Sequence, residues 1–395
     1  MDHRSAAENA LLPFVLKRGT QRLPTMTAMT RELEMLYGSH LSARLGKVGD
    51  TQFFGFQSNP LRDSLAEGMA VTAKVLSLIG EMIYQPWRED DLLSSAYIEG
   101  EKRVLMDAVR SRINHKGHYA LLRCREEMCR NDPCALPETG TEEQIAAITA
   151  ASLTRRLEHA RLHYPIEIWF AGVVDREALI AQVKEIFLSH PREPIPLAAT
   201  LPFTAAPTTQ RITEDQPIKQ GTLCLGFGTP IRSGHALAPA YSLMLEVLSG
   251  SPTAKLFVNV REKQSLCYYC TGIPDMQKGI LIVASGIEVS QRDQAEQAIL
   301  QQVDACRRGE ITEEEMTAAK KALATAVRSM YDDPAALISW YFKHWLIGST
   351  ESPLAYDARL SAVTRADLVE AARSLTLDTV YFLNGTLPGE EEDDG

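Results

Sequence analysis

Ala108-Val109-Arg110-Ser111 recurs as Ala326-Val327-Arg328-Ser329, 218 residues further along the chain. In the same register Lys102 meets Lys320 and Leu105 meets Leu323, and Leu36-Tyr37-Gly38-Ser39 has a counterpart in Leu248-Ser249-Gly250-Ser251. Matches that keep one order along the chain indicate a unit of about 190 residues written twice. Between the copies lie Pro191, Pro194, Pro196, Pro202, Pro207 and Pro217. Proline gives up its backbone N–H, so this stretch reads as a linker rather than a helix or central strand. The expected organisation is a first domain at 1–190, a linker at 191–217, a second domain at 218–388 and an acidic tail at 389–395.

Each copy runs in a similar order. A helix ends near Gly38 or Gly250, both suited to a left-handed cap. β-rich segments follow at 51–57 in the first copy, and at 267–271 and 279–285 in the second. Amphipathic helices come next, at 64–84 and 90–113, then at 293–307 and 312–330. Each copy closes on a helix and a β-rich run into glycine, at 166–172 and 380–385. Strands grouped apart from runs of helices indicate an α+β fold, each domain a mainly antiparallel sheet with helices packed on it. The second copy opens with a strand at 222–228, so Gly226-x-Gly228-x-Pro230 reads as a strand end and turn, not a phosphate cradle. The first copy has no such run, because helix signals begin at the capping-box pattern Ser5-Ala6-Ala7-Glu8. The expectation is that the first copy lacks its opening strand.

Composition bounds what the chain can do. Its 395 residues carry 41 Lys+Arg against 51 Asp+Glu, and five of the acids are Glu390, Glu391, Glu392, Asp393 and Asp394. The body is therefore only mildly acidic, which argues against nucleic acid as a partner. No basic n-region and apolar h-region begins at Met1, and no apolar run is long enough to span a bilayer. Seven cysteines, at 124, 129, 134, 224, 267, 270 and 306, suit reduced thiols in a cytoplasm. Cys267-x-x-Cys270 falls in the β-rich run 266–271, where the two side chains would point to opposite faces, so no redox pair is expected. Trp340, Tyr341, Phe342 and Trp345 at helical spacing read as core or interface rather than a cofactor box, and Glu313, Glu314 and Glu315 as a helix start.

Two longer stretches carry a resemblance. Asn9-Ala10-Leu11-Leu12-Pro13-Phe14-Val15-Leu16-Lys17-Arg18-Gly19-Thr20 resembles the opening of the insulinase/pitrilysin-like zinc metallopeptidases, the inverzincins that include the mitochondrial processing peptidases. Leu256-Phe257-Val258-Asn259-Val260-Arg261-Glu262-Lys263-Gln264-Ser265-Leu266-Cys267-Tyr268 resembles the signature of that family's second domain. The resemblance covers nearly the whole chain. The Ala-Leu-Leu-Pro-Phe form looks most like a bacterial branch, the elongation factor P 5-aminopentanol modification-associated proteins, usually encoded beside a second family member.

Active members carry His-x-x-Glu-His on the first helix, two imidazoles for zinc and a glutamate to activate water, and a later helix adds another glutamate. Counted back from Gly19-Thr20, the histidine positions fall on Ala10 and Phe14 and the glutamate on Pro13. The later glutamate falls on or beside Ala108, with Asp107 adjacent. A methyl group, a pyrrolidine and a phenyl ring can neither ligate zinc nor take a proton. The expectation is a pseudoenzyme with no metal or other cofactor. Other ligand sets are weak. His159 and His163 are one helical turn apart, but the segment 155–163 reads as an Arg/His-rich exposed face, and His115-x-x-His118 reads as loop.

The second signature keeps Arg261 and Tyr268. The resemblance implies that this pair reaches substrate bound at the metal, and guanidinium and phenol can both donate to a peptide carbonyl or oxyanion. Read from the residues alone, Arg261 is equally a salt-bridged helix residue and Tyr268 a buried strand residue. Gln264-Ser265 replaces the family's usual basic residue and glycine. Three readings follow: a subunit paired with a His-x-x-Glu-His-bearing paralogue around a peptide substrate, a scaffold with no substrate role, or a zinc peptidase using His159 and His163.

Overall fold

Helix α1 (His3–Leu16) buries Ala6, Ala7, Ala10, Leu11, Leu12, Val15 and Leu16, so its apolar surface goes all the way round rather than along one stripe. Such a helix is stable only when enclosed. The enclosure comes from the rest of one compact unit, residues up to 111 together with 136–198; residues 112–135 and those from 199 onward form a second unit. The computed structural model describes residues 3–130 and 132–387; Asp2 and the acidic tail lie outside the described residues.

In the first unit α1 is followed by α2 (Met26–Met35), a hairpin of β1 (His40–Val48) and β2 (Thr51–Asn59), α3 (Val71–Tyr84), the short pair β3 (Arg88–Glu89) and β4 (Leu92–Leu93), and α4 (Ser95–Ser111). Next in the chain comes α5 (Lys116–Met128), which packs on the sheet of the second unit, and then α6 (Glu142–Ala146), α7 (Ala150–His163) and α8 (Arg176–Leu188) close the first. Helix α2 ends as expected, with Gly38 at φ 66°. Its counterpart Gly250 lies instead in a π-turn, Glu246–Gly250, and has no positive φ. Ser5 is inside α1 rather than its cap, and Glu8 is buried against Arg156 (2.9 Å). The run 166–172 forms no strand: its alternation is strand-like, but no neighbouring strand pairs with it.

The second unit holds the main sheet, ordered β5-β9-β6-β8-β7, from β5 (Gln210–Gln216), β6 (Gly221–Gly228), β7 (Tyr269–Asp275), β8 (Ile280–Ile287) and β9 (Thr376–Gly385). All pairings are antiparallel except β5 with β9. The α+β reading therefore holds, with one correction inside the proline-rich stretch. Pro207 and Pro217 flank 210–216 without interrupting it, so this segment keeps its N–H groups and adds an edge strand. Helices α9 (Ala238–Leu245), α10 (Arg292–Arg308), α11 (Glu313–Ser329), α12 (Pro334–Trp345), α13 (Pro353–Ala362) and α14 (Arg365–Arg373) complete the unit. On one sheet face Leu223, Leu225, Phe227, Leu281 and Val283 pack with α9, α10 and α14; on the other, Cys224, Ile282 and Tyr381 pack with α5. Gly226 allows that second contact, since a Cβ there would sit 2.3 Å from the Met128 sulfur. His115 is thus the N-cap of α5, with His118 in its first turn, not a loop pair.

The repeated lysines show what the duplication preserved. Lys102 Nζ donates to the carbonyls of Ala146 (2.9 Å) and Ile148 (3.0 Å), three residues and one residue before the N-cap Thr149 of α7. Lys320 Nζ donates to Ser361 (2.9 Å) and Val363 (2.7 Å), three residues and one residue before the N-cap Thr364 of α14. Both threonines close capping boxes.

Candidate functional site

The erased metal helix is α1, and its packing explains why it can do without polar groups. Ala10 is fully buried among Leu11, Ile98, Leu105, Leu153 and Leu157, and Pro13 is buried beside it, while Phe14 is half-buried. Pro13 has no N–H for the Asn9 carbonyl, yet the helix continues, with Lys17 N–H donating to the Pro13 carbonyl at 3.2 Å. The nearby polar side chains already have partners. Asn9 Nδ2 donates to Gln52 Oε1 (3.1 Å), Gln52 Nε2 to the Ala6 and Glu138 carbonyls (3.0 and 2.6 Å), and Arg156 to Glu8 and the Tyr164 hydroxyl. On α4, Ala108 and Asp107 are exposed, and Glu101 is held by Arg18. Among the described residues no group of three His, Cys, Asp or Glu side chains could hold a metal ion.

The alternative imidazoles do not assemble a site either. His159 and His163 lie with ring centroids 4.8 Å apart, but His163 Nδ1 is 3.2 Å from the Glu193 carbonyl and Glu158 is taken by Arg88 and Arg161. Burial, helped by the charges of Arg156 and His163, lowers the His159 pKa.

Of the retained pair, Arg261 is a helical residue beside a carboxylate, as the residues alone suggest, whereas Tyr268 is not buried in a strand. Arg261 lies in a π-helical turn, Phe257–Glu262, its guanidinium 4.7 Å from the Phe257 ring centroid and 3.6 Å from Glu262, with 42% of the side chain exposed. Tyr268 precedes β7 rather than lying inside a strand and is 54% exposed. Its hydroxyl donates to the Glu288 carboxylate, which pushes the phenol pKa upward. No hydrogen bond joins Arg261 to Tyr268 among the described residues; they flank a common neighbour, Cys267, whose thiol feels the Arg261 charge.

Two cysteine readings change. Cys129 and Cys134, expected as reduced thiols, are joined as a disulfide just after α5. Cys267 and Cys270, expected on opposite faces, both pack against one apolar cluster, because β7 begins only at Tyr269 and the chain bends at Tyr268. Glu288 had no signal in the sequence; it follows β8 and reaches Tyr268 only through strand pairing. The aromatic helix α12 buries none of its residues fully; Trp340 stacks on His344 and donates to the Glu351 carbonyl (2.8 Å). Glu315 does more than start α11: it pairs with the buried Lys255 (2.9 Å).

Known proteins resemble this chain along its length. Residues 165–323 match the family described as Peptidase M16 inactive domain. A probable inactive metalloprotease of Bacillus subtilis, YmfF, is 30% identical over 381 residues, covering 96% of this chain and 89% of that protein. A conserved protein of Enterococcus faecalis superposes with a TM-score of 0.90 at 25% identity, covering 98% of this chain and 92% of that one. A peptidase M16 inactive domain from Pseudomonas fluorescens shares the fold, with a TM-score of 0.78 at 18% identity over the same shares of the two chains. With Ala10, Pro13 and Phe14 at the positions where active members keep their metal motif, the chain belongs to the M16 peptidase family as an inactive metallopeptidase homologue.

Proposed function

We propose that this chain is the non-catalytic member of a two-chain M16 assembly, pairing with a His-x-x-Glu-His-bearing paralogue and lending Arg261 and Tyr268 to peptide bound at the partner's metal. The observation that carries the reading is a half-erased site: the motif positions Ala10, Pro13 and Phe14 on α1 offer no metal ligand, while Arg261 and Tyr268 at the retained motif remain exposed. Donors left accessible at the surface can be brought against a substrate carbonyl, and donors aimed at a developing oxyanion stabilise it. Co-expression with the neighbouring paralogue, followed by size exclusion, tests the pairing; separate elution at micromolar concentration overturns it. The family resemblance extends the proposal to elongation factor P modification in the cytoplasm. No described helix is long and apolar enough to cross a membrane, and the Cys129–Cys134 disulfide is the observation that pulls against a reducing compartment.

A scaffold role is the second reading, favoured by the contacts of Arg261 with Phe257 and of Tyr268 with Glu288. Arg261→Ala separates the two. Loss of the pair's peptidase activity supports substrate contact, and unchanged activity supports the scaffold.

A further inference from the structure

Because the chain is duplicated, its second unit is a template for the first. The hairpin of β1 and β2 stands before α3 and α4 as β7 and β8 stand before α10 and α11. The segment 166–172 follows α7 as β9 follows α14, and Lys102 and Lys320 anchor the caps of those two helices in the same way. In the second unit β6 lies between β8 and β9, bonded to both. Among the described residues of the first unit no strand fills that place. β2 pairs with β1 alone, and 166–172 pairs with no strand, leaving Ile168 40% and Phe170 42% exposed.

The composition of β2 is that of an interior strand. Strands at a sheet edge are commonly blunted by charge, proline, a bulge or short length. Edge strand β5 carries Arg211, Glu214 and Asp215, edge strand β7 carries Pro274 and Asp275, and β1, the other edge of the hairpin, carries Arg44 and Lys47. β2 has none of these devices: its nine residues, Thr51–Asn59, are uncharged, contain no proline and keep an unbroken register with β1. The same holds for β6 and β8, which are uncharged, without proline and buried at every residue, whereas no residue of β2 is buried. Alternate backbone N–H and C=O groups of β2 point away from β1, where no strand meets them. On one face of β2, Phe54 and Phe56 already pack against the apolar cluster around α1. On the other face Gln57 accepts from Arg44 at 2.6 Å in an exposed position.

We propose that the free edge of β2 is a docking site for an extended segment of a second polypeptide, with apolar side chains at alternate positions, which adds antiparallel to β2 as β6 adds to β8. The eight residues of β6 set the length of the segment. Main-chain hydrogen bonds along β2 supply the affinity, and the side chains that reach the layer of Phe54 and Phe56 supply the selectivity. Alternation is required because the opposite face of the added strand lies on the side of Arg44 and Gln57, where polar residues are favoured. The inference does not depend on the proposed pairing with a metal-bearing paralogue.

The probe is a synthetic peptide of residues 219–230, which contain β6, with Cys224→Ser and N-terminal lysines added for solubility. The full-length protein is exchanged into deuterium with and without this peptide, and the fragment spanning β2 is read by mass spectrometry. In the free protein about half of the β2 amides should exchange fast, because alternate residues face away from β1. Millimolar peptide should slow these amides at least about tenfold and leave β8 unchanged. A peptide N-methylated at alternate residues keeps its side chains but loses main-chain donors, and it should give no protection. Slow exchange along all of β2 in the free protein overturns the proposal, because the edge is then already covered. Protection that rises with protein concentration alone also overturns it, since a second copy of this chain is then the occupant. So does an absence of protection at millimolar peptide, or equal protection by the N-methylated form.

Discussion

Replacing Lys102 by methionine keeps most of the side-chain volume and removes only the ammonium. In the folded chain that ammonium is 6% exposed as a residue and donates to the Ala146 and Ile148 carbonyls at 2.9 and 3.0 Å, with Glu99 at 2.9 Å as a third partner. A hydrogen bond from a charged donor contributes about 1.5–3 kcal/mol, and carbonyls left buried without a partner add to the loss. The desolvation of Lys102 itself offsets part of this, so the expected destabilisation is about 2–4 kcal/mol. For a unit of this size that lowers the melting temperature by about 5–12 °C. Lys320→Met breaks the equivalent pair of bonds, to Ser361 and Val363, at a less buried position where water can take over the carbonyls. Its expected cost is about 1–2 kcal/mol. Differential scanning calorimetry of both variants checks this, since a two-unit protein can show separate transitions. If Lys102→Met melts within about 1 °C of the parent, or Lys320→Met proves the more damaging, the account of these lysines as paired anchors for the two helix caps fails.

Restoring the family motif on α1, with Ala10→His, Pro13→Glu and Phe14→His together, should not restore peptidase activity, because the later helix still offers Ala108 and Ala10 is fully buried in an apolar cluster. The overpacked imidazole should cost about 1–3 kcal/mol, read by thermal melt, and a chelator-sensitive peptidase in the triple variant would refute the reading. Glu214 accepts from the Tyr119 and Tyr381 hydroxyls, Gln216 and Arg123. Burial raises its pKa, but these hydrogen bonds outweigh burial and leave it below the usual 4.5. A carboxyl depressed in the fold stabilises above its unfolded pKa and loses that contribution as pH falls through the folded value. Acid unfolding should therefore steepen below about pH 4.5 and flatten in Glu214→Gln, while an identical acid limb in that variant would remove Glu214 from the explanation. Tyr119, pushed up to about 12 mainly by burial and the Glu214 carboxylate, should stay silent in an ultraviolet titration through pH 11. Gly226→Val should weaken the packing of α5 on its sheet, since the Met128 sulfur lies 2.3 Å from where a Cβ would stand; a melt within about 1 °C of the parent would show that Met128 simply moves aside.

Much of this protein is legible without coordinates because it is written locally. The 3.6-residue period locates α3, α4, α10 and α11 to within several residues, whereas the one capping box read from the sequence, Ser5 to Glu8, lies inside α1. The loss of the metal-binding helix is equally local, because the ability to ligate zinc is a property of side chains at Ala10, Pro13 and Phe14 in any fold. Strands are different, since a strand exists only where another supplies its hydrogen bonds. That is why the strand-like run at 166–172 remains irregular, while the charged segment 210–216 becomes β5 by lying along β9. The same dependence decided the cysteines. Tertiary structure moved the start of β7 from the expected 266 or 267 to Tyr269, and this shift set Cys267 and Cys270 against one apolar cluster rather than on opposite faces. Sequence alone therefore determined which chemistry this chain had lost; where its remaining donors and thiols lie was settled by strand pairing, which depends on contacts far apart in the chain.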